Sequence, residues 1–465
     1  MKAEYTPVDA ASKVPLLFLL RSAVGWLVVG GVLALIASAQ LHTPHFLGRW
    51  SFTTYGRVVA LAETAFVYGW LANAGIGLAL WVLGRLAGEP LRGQNWALGG
   101  WLFWNLGVLA ALVGIATGDA TGFSLLELPR YVQLDLLFSY AALSVPGILA
   151  WVGRKREMAF AAQWYGAAAL FTFPWILSVV HVMLFAAPVR GVLQPIVAGW
   201  YAQAAWTLWL APLVLSIAYY VVPKVTGKVL GSYEFASLGF WTLIFVGGLT
   251  GGRHLIGGPV PAWIPSLAVV SCALLLFHTF IVFLNLRRIA AAKGVAARLI
   301  AFGVAAYILG ALVDALTSFH GVALYTQFTY FDAAQQQLAL YAGASMILFG
   351  GLYYALPRIT GRVWLSSGLV RAHVALSLIG VVLLLVALVG ASCVQSQGLS
   401  DPKVTFAAIT ASTRPWLLTA SYAQLALLAG NLALLVNLIA SACFIKDFAP
   451  LATFAAPTEL ETSAT

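Results

Sequence analysis

Long uncharged apolar runs constrain this chain more than any other feature. Residues 254–286 and 372–400 contain no Asp, Glu, Lys or Arg, and similar runs recur along the whole chain. About 20 apolar residues in a helix cross a bilayer core of roughly 30 Å. Only 9% of the residues are charged, whereas soluble globular proteins carry roughly 25%. The sequence therefore predicts a polytopic membrane protein embedded in the lipid bilayer.

The predicted fold class is all-α and integral to the membrane. We expect a bundle of twelve transmembrane helices that forms a single domain over residues 1–456, followed by a short disordered tail at 457–465. The predicted helices, numbered 1 to 12 in chain order, cover residues 15–38, 58–84, 96–117, 131–153, 162–186, 198–222, 234–252, 264–286, 298–319, 334–356, 370–391 and 418–444.

The basic residues indicate an orientation. If the N-terminus and the connections after even-numbered helices share one side, that side carries 18 of the 25 Lys and Arg residues and the other side carries 7. Lys and Arg are enriched on the cytoplasmic side of membrane proteins, so both termini are predicted in the cytoplasm. Because these bases are spread between the helices, the net charge of +10 does not indicate nucleic-acid binding.

The ends of predicted helices 6 and 10 repeat one pattern. Residues 217–228 read IAYYVVPKVTGK and residues 351–362 read GLYYALPRITGR, so that the Tyr-Tyr pairs lie 134 residues apart. A weaker version, WVLGR at 81–85, ends predicted helix 2. Tyrosine, proline and a base also suit any helix end at a membrane interface. The shared Thr-Gly-basic ending nevertheless favours three pseudo-symmetric arcs of four helices, with helices 2, 6 and 10 equivalent.

With these motifs, the sequence resembles subunit I of the haem–copper terminal oxidases, specifically the cbb-type branch. That family has twelve helices in three arcs, and the resemblance implies a bacterial cytoplasmic (inner) membrane protein. It covers roughly residues 15–370. The matching segments are Gln40-Leu41, Gly56-Arg57, Asp135, Tyr219–Lys224, Ser232-Tyr233, Phe240–Ile244, His254-Leu255 with Pro261 and Trp263, and Leu352-Tyr353 through Arg362.

The resemblance implies six histidines that hold two haems and one copper, because imidazole suits both iron and copper. At the haem positions this chain has other residues. Ala62 stands at the haem ligand of predicted helix 2, and Gln335 and Gln337 stand at the two haem ligands of predicted helix 10. None of these is an imidazole.

The copper positions are altered as well. Gln203 stands at the copper histidine of predicted helix 6, and Arg253 stands at one of the two on predicted helix 7, where only His254 remains. Gly247 stands where the cbb-type branch places an active-site tyrosine. A guanidinium remains cationic in proteins and repels a metal ion. We therefore expect no haem and no copper. Rewired haem ligation, through His181 for example, is the alternative.

Polar residues left inside the predicted bundle are costly and suggest function. Asp135 and Asp314 are possible proton-path acids, and one acid, such as Glu63, is expected to pair with Arg253. Simple hydrogen bonding between helices is the favoured reading of the polar groups. The possible interior polar cluster comprises Glu63, Gln203, Arg253, His254, Gln335 and Gln337.

Three functions follow from this reading. The first is a non-catalytic or degenerate subunit of a respiratory complex, whose expected partners are other subunits such as a c-type cytochrome. The second is a functional cytochrome c oxidase subunit that reduces oxygen with haem b and copper. The third is a transporter-like use of the emptied polar interior. The missing ligands favour the first, because fold alone does not establish function.

Overall fold

The computed structural model describes residues 7–155 and 157–443. The tail predicted at 457–465 lies outside the described residues. Within them, twelve helices are long and apolar enough to cross a membrane, which confirms the predicted fold class. These helices, α1 to α12, are Val8–His42, Tyr55–Ala87, Gln94–Thr117, Arg130–Val152, Ala161–Ala186, Leu193–Thr226, Tyr233–Leu255, Trp263–Ala291, Val295–Thr317, Tyr330–Thr360, Ser367–Ser400 and Phe406–Ser441.

The last helix differs most from its predicted bounds. α12 begins at Phe406 rather than at residue 418, so that Pro415 lies inside the helix. Prolines are tolerated in transmembrane helices because Ser and Thr side chains and neighbouring helices satisfy the freed backbone groups. In the turn before Pro415, the hydroxyls of Ser412 and Thr413 donate to the carbonyls of Ile409 and Thr410, whereas the carbonyl that loses its helical donor to the proline is that of Ala411. A short helix, His320–Thr326, connects α9 to α10.

Three helices, α2, α6 and α10, form the centre of the bundle. The most apolar 18-residue window of each is 94% buried, against 39–44% for the other nine spanning helices of the described residues. Each central helix ends at a glycine with a left-handed backbone, Gly88, Gly227 or Gly361, with φ of +74°, +64° and +70°. This conformation favours glycine, which explains the shared ending of the repeated motif.

Aromatic side chains join the three central helices near these ends. Trp81, Tyr220 and Tyr354 each lie seven residues before the capping glycine. Their ring centroids are 5.3, 6.1 and 6.4 Å apart in the three pairs. Equivalent positions of the three arcs therefore meet in one cluster. This contact confirms the predicted equivalence of helices 2, 6 and 10.

The middle of each central helix contains a wide π-helical stretch. These stretches are Ala65–Leu71 in α2, Ala205–Leu210 in α6 and Leu338–Ser345 in α10. A π-turn holds one more residue than an α-turn and is frequent at functional sites. Each stretch directly follows the positions at which the family resemblance places metal ligands, so the backbone itself marks where the site lies.

Candidate functional site

A cavity of about 470 Å³ lies between α6, α7, α9 and α10. We call it the arginine cavity. Its polar lining includes Gln203, Arg253, His254, Asp314, Asp332 and Gln335. Four of the six residues predicted for an interior cluster therefore line one space.

The backbone of α7 brings Arg253 to this cavity. Its C-terminal part, Gly247–Leu255, forms a 3₁₀-helix, which is tighter than an α-helix. A Cβ on Gly251 would lie 2.7 Å from the carbonyl oxygen of Gly199, so only glycine allows α7 to approach α6 this closely. At Gly247 a Cβ would lie 2.9 Å from the Thr207 Cβ. The family's tyrosine does not fit at that position.

An ion pair dominates the arginine cavity. Arg253 Nη1 lies 2.9 Å from Asp314 Oδ1, and their side chains are only 8% and 22% exposed. Gln335 Nε2 donates a hydrogen bond to the same carboxylate oxygen. The Arg253 Nε finds no hydrogen-bond partner among the described residues. The acid that pairs with Arg253 is thus Asp314 of α9, and not Glu63 as the sequence suggested.

A second cavity of about 180 Å³ lies between α1, α2, α10, α11 and α12. We call it the glutamate cavity. Ala62, Glu63 and Gln337 line it, so both helices that carry low-spin haem ligands in the family face this space. Glu63 Oε1 accepts a hydrogen bond of 3.0 Å from Gln336 Nε2. The predicted polar cluster is therefore divided between two cavities, with Gln336 lining both.

A carboxyl group missed by the sequence prediction lies beside Glu63. Glu127 belongs to the connection between α3 and α4, outside the spanning segments. Burial, and then the charge of Glu63, raise the pKa of Glu127 well above its ordinary value of 4.5. Next to it, the Tyr68 hydroxyl lies 2.8 Å from the Tyr201 hydroxyl and donates to the carbonyl of Leu125. No motif around Glu127 indicated this proximity.

Asp332 was also missed by the sequence prediction, although its spacing from Gln335 could have indicated that it lies at the same cavity. It lies three residues before Gln335 on α10, and residues three apart share one face of a helix.

Asp135 lies away from both cavities. Its carboxylate packs against Gly107 of α3, where an added Cβ would collide with Oδ2. Of the two predicted proton-path acids, only Asp314 reaches a cavity.

The histidines of the described spans do not form a ligand set. His278 is buried and uses both ring nitrogens, at 2.8 Å from the Gly239 carbonyl and 2.9 Å from the Tyr307 hydroxyl. His181 Nδ1 lies 3.0 Å from Gln133 Oε1, and its ring lines neither cavity. His373 is buried within α11, and its Nδ1 lies 2.9 Å from the Tyr353 hydroxyl. Only His254 lines the arginine cavity.

The donor set therefore does not fit the haem and copper of the family. Across residues 7–155 and 157–443, no three side chains of His, Cys, Asp or Glu converge in a way that could hold a metal ion. Copper in such a site needs several imidazoles, and haem iron needs an axial donor such as His, Met, Cys or Tyr. In the glutamate cavity the only such groups are the phenols of Tyr55 and Tyr341, and the Tyr341 hydroxyl is bonded to Asn431 at 3.1 Å.

Comparison with known proteins places this architecture in a family. The family model for cytochrome c and quinol oxidase polypeptide I matches residues 14–430. The chain belongs to this family. As a subunit I homologue, it is 26% identical over 378 residues to the cytochrome c oxidase subunit 1 homolog of Agrobacterium tumefaciens (strain T37), covering 77% of this chain and 69% of that protein.

The cbb-type relationship is also found. The subunit I homologue is 24% identical over 372 residues to the cbb3-type cytochrome c oxidase subunit CcoN1 of Stutzerimonas stutzeri, covering 77% of this chain and 78% of the relative. A cryo-EM structure of a heme-copper terminal oxidase dimer superimposes with a TM-score of 0.76 at 15% identity, covering 97% of this chain and 89% of the other. The fold is thus that of the haem–copper oxidases.

Proposed function

We propose that this subunit I homologue is a non-catalytic membrane subunit of a respiratory complex that binds neither haem nor copper. The observation that carries the proposal is the ion pair between Arg253 and Asp314 at the copper position. The carboxylate of Asp314 neutralises the charge of the Arg253 guanidinium, and Gln335 donates a hydrogen bond to the same carboxylate. These contacts link α7, α9 and α10 without a metal.

Charge and ligand chemistry act in the same direction at this position. A metal cation at about 4 Å from the guanidinium would be repelled by about 4 kcal/mol for each unit of its charge at an effective dielectric constant of about 20. The negative charge of Asp314, which lies 2.9 Å from the guanidinium, offsets part of this repulsion. His254 is the single imidazole in the cavity lining. The lack of further imidazoles therefore acts in the same direction as the ion pair.

The proposal for haem rests on the glutamate cavity. Ala62 and Gln337 stand on its facing walls and supply no axial donor for iron. Glu63 and Gln336 bond to each other across the same space, which links α2 to α10 directly. In this proposal, the hydrogen bond between Glu63 and Gln336 connects α2 to α10 without haem.

We further propose that the chain lies in the bacterial cytoplasmic membrane with both termini in the cytoplasm. The distribution of Lys and Arg over the two sides supports this orientation. Partner subunits, such as a c-type cytochrome, would then dock on the opposite, outer side, where α7 ends and both cavities lie.

The test is an absorption spectrum, a pyridine-haemochrome assay and metal analysis of the purified full chain. We expect no b-type spectrum and no stoichiometric copper, whereas a relative with intact histidines, purified in the same way, shows both. About two haems per chain, the number implied by the family's sites, would refute the proposal.

A double variant distinguishes two explanations for the absence of haem: missing iron ligands, or a cavity that does not admit haem. Ala62→His combined with Gln337→His returns an imidazole to both walls of the glutamate cavity. If ligand loss alone explains the absence of haem, this double variant gains a haem spectrum that each single variant shows weakly or not at all. If haem binds to the wild type as well as to the double variant, ligand replacement is not the cause.

A further inference from the structure

The arginine cavity contains a polar side chain that the ion pair does not use. Gln203 of α6 lines this cavity, and only 8% of the residue is exposed. Its side-chain amide makes no hydrogen bond with another described residue, and both amide atoms remain accessible. A ligand in the cavity can therefore reach this amide and bond to it.

The charged groups of the cavity lining do not balance. Among the described residues that line it, there are two carboxylates, Asp314 and Asp332, and one guanidinium, Arg253. Asp314 neutralises Arg253 through the contact of 2.9 Å. Asp332 forms no ion pair with a described residue, and it is exposed, so that a ligand can reach its carboxylate. The cavity therefore favours a cation near Asp332.

The unpaired acid and the unpaired amide lie at different depths. Asp332 stands 29 residues before its capping glycine, Gly361, and Gln203 stands 24 residues before Gly227. The aromatic contact near these glycines places the two helix ends at one level. At a rise of 1.5 Å per residue, Asp332 then lies about 7 Å nearer the cavity end of the bundle. A ligand that reaches both groups is elongated.

Aromatic and apolar side chains supply further walls. Trp206 lies three residues after Gln203 and lines the same cavity, and its ring packs near Tyr307 with centroids 6.1 Å apart. An indole ring attracts a cation to its face and contacts apolar groups equally well. Leu125 and Leu340 also line the space. These walls suit a ligand with an apolar body.

The size of the cavity and its donor set favour an organic cation over a metal ion. Small-molecule pockets measure roughly 300–1,000 Å³, and this cavity measures about 470 Å³. Across residues 7–155 and 157–443, no three side chains of His, Cys, Asp or Glu form a group that could hold a metal ion. An alkylammonium head has three N–H donors and can bind a single carboxylate.

We propose that the arginine cavity binds a small, elongated organic cation, with an ammonium group at one end and a hydroxyl group at the other. The ammonium pairs with the Asp332 carboxylate, the body lies against Trp206, and the hydroxyl bonds to the Gln203 amide. This site rests on the proposed function, because it requires that no metal occupies the cavity.

The experiment is isothermal titration calorimetry of the purified full chain in detergent at pH 8, where histidine is neutral and an alkylamine stays protonated. The probes are tyramine, phenethylamine, which lacks the hydroxyl, and tyrosol, in which a second hydroxyl replaces the ammonium. We expect tyramine to bind. The affinity for phenethylamine should be about fivefold lower, the share of one neutral hydrogen bond, and that for tyrosol at least about tenfold lower, the share of a charged one.

Variants of the two polar groups test the orientation of the ligand. Asp332→Asn is expected to weaken tyramine binding at least about tenfold, and Gln203→Leu about fivefold. Gln203→Leu should also abolish the preference for tyramine over phenethylamine. The matched control is Asp119→Asn, which removes an exposed acid from the connection after α3, at the same end of the bundle and outside the cavity lining. It should bind tyramine as the wild type does.

Several outcomes would overturn the proposal. Equal binding of tyrosol would show that the charge is not recognised, and an equal loss in Asp119→Asn would show that diffuse negative charge attracts the ligand. Displacement of tyramine by calcium chloride at the same concentration would make this an inorganic cation site. If Asp332→Asn fails to fold, a preference for tyramine that persists in Gln203→Leu still refutes the contact with the buried amide.

The two proposals fail separately. A chain without haem and copper that does not bind tyramine refutes the cation site and leaves the proposed function standing. Haem and copper found by absorption and metal analysis refute the proposed function, whatever the calorimetry shows.

Discussion

Asp314→Asn removes the charge of the acid that pairs with Arg253 while keeping its size. At 2.9 Å and an effective dielectric constant of about 20, the attraction between the two charges is about 6 kcal/mol. The cost of burying both charges offsets part of it. Breaking a buried pair on one side costs about 3–5 kcal/mol, because the remaining charge is left without a partner. Since Asp314 is 22% exposed, we expect a loss of about 3 kcal/mol.

The assay is equilibrium unfolding of the purified chain in mixed detergent micelles, followed by circular dichroism. The matched control is Arg190→Gln, which removes an exposed base in the connection before α6 and should cost under about 0.5 kcal/mol. In a double-mutant cycle, Arg253→Met together with Asp314→Leu should cost less than the two single changes combined. A loss under about 0.5 kcal/mol in Asp314→Asn, or strict additivity in the cycle, would refute the role of this ion pair.

Three other predictions concern stability, measured by the same unfolding assay. Gly251→Ala should lower the free energy of unfolding by about 1–3 kcal/mol, because its Cβ would lie 2.7 Å from backbone atoms of α6. Gly56→Ala, with open space around it, should be nearly neutral. Equal effects of the two variants would contradict the close approach of α7 to α6. Trp81→Ala should cost about 3–5 kcal/mol by opening the aromatic cluster, and Trp96→Ala, at a position 59% exposed, should cost far less. Because the folded state holds the Glu127 proton more tightly than the unfolded chain, the free energy of unfolding should fall as pH rises above the ordinary pKa of 4.5. Glu127→Gln should flatten this pH dependence, and the control variant Glu157→Gln, at an exposed position, should not. An unchanged slope in Glu127→Gln would disprove that Glu127 causes the pH dependence.

The sequence predicted the twelve helices well because hydropathy and length are local properties. It placed the start of α12 too late, since Arg414-Pro415 looks like a helix start although the membrane environment tolerates a proline inside a helix. The equivalence of α2, α6 and α10 was also predictable, because it rests on a repeated motif. The π-helical stretches were not, because one extra residue in a turn leaves no local signal.

The candidate site was predictable in its residues but not in its pairing. Gln203, Arg253, His254 and Gln335 were singled out, and they line one cavity. The partner of Arg253 depends on how α7 and α9 are rotated about their axes, which apolar patterning does not determine. Asp314 was therefore taken for a proton-path acid, although it forms the ion pair. Glu127 remained unnoticed because a connection folds back over α2.

The aromatic contact of Trp81, Tyr220 and Tyr354 has a consequence for how such a chain changes over time. It ties the three arcs together at the end of the bundle remote from the cavities, and it does so with side chains alone. Substitutions at the cavity end therefore leave this aromatic contact between the three arcs unchanged. An ancestral bundle of this design could lose its prosthetic groups one by one and still assemble, which leaves the cavity end open to new evolutionary use.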